Sequence, residues 1–184
     1  MAFSIDSFRS KGLADGGARP NLFQVQIQSA PVTFPGNNAV GGFSFACKVA
    51  AIPASTLAAF DVPYFGRNIK VVGNRTFDNL SMTIINDEAM EIRTAVENWM
   101  GAMNTHVSNK QTMATAGSAT SGANFSIQHF AKSGEELGTP WTFINAFPVS
   151  LGEIALDWGS NDTIEEFTID FAFDYWIHGS NTPG

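Results

Sequence analysis

The strongest constraint on the fold is the run EEFTIDFAFDYWI at residues 165–177. Phe167, Ile169, Phe171, Phe173, Tyr175 and Ile177 alternate with Glu166, Thr168, Asp170, Ala172, Asp174 and Trp176. Successive side chains of a strand point to opposite faces, so the run predicts one long strand with an apolar face and an acidic face. A one-residue slip would bury the acids and expose the aromatics, so the register is well specified.

Such a strand needs partners of the same period. Phe23, Val25 and Ile27 alternate with Gln24, Gln26 and Gln28. Phe43, Phe45, Cys47 and Val49 alternate until Pro53, and Leu80, Met82 and Ile84 do so further on. Residues 57–78 are expected to be extended, with Gly66 and Gly73 as turns, and residues 123–131, 138–147 and 150–159 as further strands. One segment changes period. Over residues 86–103 the apolar positions step by three and four, predicting a helix capped by Asn86 and Asp87 and packed through Ile92, Val96 and Trp99. The expected fold is mainly β: an antiparallel β-sandwich or small barrel with one α-helix packed on it. Residues 1–20 read as an N-terminal arm. Residues 21–184 read as a single β domain with a flexible loop at about 104–124 around the uncharged stretch MATAGSATSGAN.

Charge is sparse, at 15% of residues against roughly 25% in an ordinary domain. A folded monomer of this size exposes roughly 8,600 Å², or about 300 Å² for each charged residue. That is thin cover for a free monomer. Sixteen Phe and four Trp also exceed what one small core needs. Both facts predict that much of the surface is buried between copies. The charge is also uneven. Residues 1–132 carry ten basic and eight acidic groups, a net of +2, whereas residues 133–184 carry nine acids and no Lys or Arg. No basic stripe is present for holding phosphate. A single cysteine, Cys47, excludes an intramolecular disulfide and reads as a small core residue. No run reaches about 18 apolar residues, so no membrane-spanning helix is expected. The N-terminal residues lack the apolar stretch of a signal peptide, so the chain is expected to fold in a cytoplasm.

Motifs for chemistry are missing. His106, His129 and His178 have no second His or Cys at metal-ligand spacing. Glu165 and Glu166 would point to opposite faces of a strand, and Glu166, Asp170 and Asp174 form a ladder better suited to a solvated stripe than to a catalytic pair. Neither a phosphate loop nor a nucleophile elbow occurs. The chain is therefore read as a non-enzyme with no cofactor and no metal.

Four segments resemble the tail tube proteins of contractile-tailed bacteriophages: CKVAAIPAS, VPYFGRNIKVVGNRTFDNLSMTIINDEAMEIRTAVENWM, NAFPVSLGEIALDWGSND and IEEFTIDFAFDYW. Their order and spacing carry the likeness, which spans about residues 20–177. The resemblance implies a structural subunit of a virion, assembled in the host cytoplasm. Such subunits form hexameric rings whose sheets join into a continuous β-barrel around a channel. The rings stack into a hollow tube that meets sheath, baseplate and tail terminator proteins, and DNA passes through without specific binding. Tubes of type VI secretion systems and phage-tail-like bacteriocins share this architecture, so an injection or secretion tube is the alternative. A glycan-binding β-sandwich using Trp141, Trp158 and Trp176 is a further one. Two placements follow from the charge split. Glu166, Asp170 and Asp174 are expected to face the lumen or an interface. Arg9, Lys11 and Arg19 are expected to contact the acidic C-terminal third of a neighbour between stacked rings.

Overall fold

The computed structural model describes residues 4–11, 13, 16–32, 44, 46–110 and 122–179. Among them are nine strands: β1 (Phe23–Ser29), β2 (Cys47–Ala51), β3 (Ser55–Tyr64), β4 (Arg67–Phe77), β5 (Leu80–Ile85), β6 (Ala123–His129), β7 (Trp141–Leu151), β8 (Glu166–Ala172) and β9 (Tyr175–His178). Two helices accompany them, α1 (Ile5–Lys11) and α2 (Glu91–Met103). The main sheet runs β1-β6-β7-β8-β5-β2, with β9 added to β7 and every pairing antiparallel. The path is open. Its outer strands are β1 and β2, so the described residues form no closed barrel.

The sheet turns a corner along β7. Residues 141–144 pair with β9, whereas residues 147–151 pair with β8. Asn145 sits at the corner with φ 56°, a left-handed conformation that Asn tolerates better than most residues. Its backbone N–H donates to Asn124 Oδ1 (3.1 Å), and its Nδ2 donates to Asp174 Oδ2 (2.8 Å). The backbone N–H of Asp174 donates to the Ile144 carbonyl (3.1 Å). This lock corrects the expectation of one strand over residues 165–177. The run breaks after Ala172, where Asn145 interrupts β7 and holds Asp174 between the parts of β7 that pair with β8 and with β9.

Inside the corner lies the core. Phe167, Ile169 and Phe171 of β8 face it together with Leu80, Met82 and Ile84 of β5. Val25, Ile27, Phe125, Ile127 and Phe143 extend it. Helix α2 covers this face with Ile92, Ala95, Val96 and Trp99, all buried. The rings of Phe125 and Trp99 lie 4.7 and 6.1 Å from that of Phe171. The helix begins at Glu91, five residues later than the periodicity predicts. Asp87 accepts the Glu91 N–H (3.1 Å). Asn86 does not cap; it is buried, and its Nδ2 donates to Glu165 Oε1 (3.1 Å).

Four further differences have local causes. The alternation through Cys47 and Val49 fails because a bulge between them turns Val49 outward. Gly73 is no turn but lies inside β4, so residues 55–77 form a single hairpin. Of the strand expected over residues 150–159, Ser150 and Leu151 alone are in one, as the end of β7. The chain leaves the sheet after Leu151, and the Gly152 N–H donates to the Thr168 carbonyl (2.7 Å). A Cβ at residue 152 would lie 2.3 Å from Thr168 Oγ1, so only glycine allows this approach. Finally, residues 5–11 are helical, where an aperiodic arm is expected, and none of α1 is buried. Within the expected loop at 104–124, residues 111–121 lie outside the described residues, as do Phe43 and Phe45.

Candidate assembly surfaces

The hairpin β3–β4 is the most exposed part of the described sheets. All ten residues of β3 are exposed, and in β4 only Gly73 and Phe77 are partly covered. Register explains why this matters. Phe60 pairs with Val71, Val62 with Ile69, and Tyr64 with Arg67. Paired residues share a face, so Phe60, Val62, Tyr64, Ile69 and Val71 make an apolar face open to solvent. The opposite face carries Asp61 and Lys70, joined at 3.0 Å, beside Pro63 and Asn68. The ribbon is amphipathic, with nothing among the described residues to cover its apolar side. An isolated two-stranded hairpin is marginal in water.

Its tip is also unusual. Phe65 and Gly66 form the two-residue loop with φ 42° and 82°, the signature of a type I′ turn. Gly66 adopts this freely, but Phe65 does so at a cost of roughly 1–2 kcal/mol. Phe65 is 92% exposed, and its ring meets that of Tyr64 edge-on at 4.7 Å. A strained aromatic held in water is expected where the residue meets a partner.

A second surface is the face of the sheet turned away from the core. Thr83 pairs with Thr168, and Ser81 and Ser150 flank Asp170. Glu166 lies on the same face, paired with the ammonium of Lys48 from β2. The surface is a ladder of hydroxyls with few charges. Of the three predicted acids, Glu166 and Asp170 lie here, and Asp174 lies past the strand break on Asn145.

The remaining residues singled out by sequence are dispersed. Arg9 and Lys11 lie on exposed α1, and Arg19 lines a cleft with Lys132. Trp141 is sandwiched between His178, stacked at 4.0 Å, and His129, edge-on at 5.5 Å. Trp176 packs against Phe77 (6.1 Å), so of the three tryptophans considered for sugar stacking Trp158 alone is fully exposed. Among the described residues no cluster of three His, Cys, Asp or Glu could hold a metal, and no helix is long and apolar enough to cross a membrane. Burial pushes the Cys47 thiol up to about 12, so it is no ready nucleophile. Sequence reasoning missed the hairpin as a surface. Its apolar alternation reads like any half-buried strand, and no local signal shows that the covering face is missing.

Comparison with known proteins agrees with this picture. A family model described as phage tail tube protein matches residues 18–179. Tail tube protein gp19 of Enterobacteria phage T4 is 32% identical over 160 residues, covering 86% of this chain and 90% of that protein. The fold is also similar to a chain in the six-fold symmetrised cryo-EM structure of the anti-feeding prophage baseplate (TM-score 0.64, 15% identity, 90% of this chain and 98% of that one). It is similar as well to a chain in the sheath–tube complex of an extracellular contractile injection system in its extended state (TM-score 0.58, 16% identity, 96% and 97%). The family match over most of the chain and the 32% identity to the T4 protein show the family: the chain belongs to the phage tail tube protein family.

Proposed function

We propose that this chain forms hexameric rings that stack into the inner tube of a contractile phage tail and give DNA a passage it does not bind. The observation that carries the reading is the uncovered apolar face of β3–β4. Five half-exposed apolar side chains, covered by a neighbour, would contribute roughly 5 kcal/mol per subunit at about 2 kcal/mol for each full burial. Within a ring, the open edges β1 and β2 are the places where sheets of adjacent subunits join, which removes two edges that would otherwise invite aggregation. The hydroxyl ladder with Asp170 is then the lumen lining. Hydroxyls and carboxylates offer phosphate no counter-charge, and Lys48 is held by Glu166. The role is structural, within a virion, with sheath, baseplate and terminator as partners. Likeness to the T4 protein at 32% identity, against 15–16% for the injection-system chains, favours a phage tail over an injection tube.

Negative-stain microscopy of purified protein across a concentration series tests this. Six-fold rings or hollow tubes are expected. Particles of two-fold or no symmetry at every concentration would refute it.

A further inference from the structure

The acidic C-terminal third ends one side of the molecule in a projecting apolar point. Residues 152–165 leave the C-terminal end of β7 without entering a strand. Within them Asp157 Oδ1 accepts the Gly159 N–H (3.0 Å), and the Asp157 carbonyl accepts the Ser160 N–H (3.2 Å). This self-contained turn holds Trp158 entirely in solvent, with Leu156 exposed beside it. Glu153, Asp157 and Asp162 lie within five residues of Trp158 in the chain, and residues 133–184 contain no Lys or Arg. A tryptophan presented this way is the side chain most often found as an interface anchor.

At the other end of β7 lies a counterpart. A cleft of about 430 Å³ opens beyond β6, with Phe130, Leu137 and Ala18 as apolar walls and Arg19 and Lys132 as its cations. Neither cation has an ion-pair partner among the described residues. Glu135 and Glu136 lie on the same turn but do not line the cleft. Trp141 begins β7 on the cleft side, and Leu151 ends it on the Trp158 side.

We infer that the Trp158 turn of one subunit docks in the Arg19–Lys132 cleft of a second copy. Apolar point meets apolar wall, and the acids that flank Trp158 in the chain meet two cations that have no ion-pair partner among the described residues. Because the two halves are different surfaces of the same chain, the contact is head-to-tail and propagates from copy to copy. The inference rests on the assembly reading above, and it names a contact separate from the hairpin and the sheet edges. It also refines the expectation for the basic arm: Arg19 takes part, and the acids it meets are those of the Trp158 turn.

Paired cysteines test it in the assembled protein. Trp158→Cys with Leu137→Cys is expected to give a ladder of covalent oligomers on a non-reducing gel after mild oxidation; neither single variant extends beyond a dimer. Buried Cys47 stays out of the reaction. Trp158→Ala, at a site with no folding role, is expected to raise the concentration needed for assembly at least ten-fold, as truncating an anchor does. Lys132→Glu should do likewise, and adding Asp162→Lys should restore assembly. Rings or tubes without the ladder, or an unchanged assembly concentration for Trp158→Ala and Lys132→Glu, would overturn this contact and leave the tube reading intact. A native chain that forms no rings at all overturns both.

Discussion

At Phe65, local geometry and exposure both run against the stability of a free subunit. The backbone is left-handed and the ring is in water. Phe65→Asn keeps the turn and relaxes the backbone, so the isolated subunit should be no less heat-stable than the parent, while assembly weakens. Thermal melts and sedimentation on the same samples check both halves; lower thermal stability with normal assembly would make Phe65 a folding residue. Cys47 gives a second prediction. The folded thiol is held near 12, from an ordinary value of 9.0, by burial. Between these values the unfolded chain ionises and the folded one does not, so the thiol's contribution to stability is full below about pH 9 and declines above it. A maleimide at pH 8 should label the native protein slowly and the denatured protein at once.

Among the elements, β8 and the hairpin play opposite parts. Phe171 is fully buried between Trp99 and Phe125, so Phe171→Ala should cost about 3–5 kcal/mol, measured by denaturant unfolding. Val62→Asp with Ile69→Asp on the hairpin should leave the unfolding midpoint nearly unchanged and abolish assembly, because both side chains are exposed in the subunit and nothing among the described residues covers that face. Sequence periodicity revealed both elements only in part. The alternation through Phe167, Ile169 and Phe171 and the stripe of Ile92, Val96 and Trp99 were legible because each records one burial event on one face. The break after Ala172 was not, since it depends on Asn145 turning β7, a contact 29 residues away in the chain. The bulge at Cys47–Val49 was hidden for the same reason: alternation continues in the sequence while the backbone shifts by one. For the hairpin, the pattern showed an apolar face but not what lies opposite it, and that missing cover is what gives it a candidate role.

For the molecule as a whole, an open sheet, an uncovered hairpin, sparse charge and a +2/−9 division of charge all suit a subunit completed by its copies. The family assignment accounts for why a chain would keep such liabilities. A monomer with free β1 and β2 edges and an apolar ribbon would be prone to aggregate, whereas a closed ring turns both into joints. The most direct test is a cryo-EM reconstruction of the assembled protein at side-chain resolution. The account predicts six-fold rings in which β1 or β2 hydrogen-bonds to a neighbouring subunit and Phe60, Val62 and Ile69 are covered by another copy. A reconstruction that leaves both sheet edges unpaired and the hairpin's apolar face in solvent would contradict it.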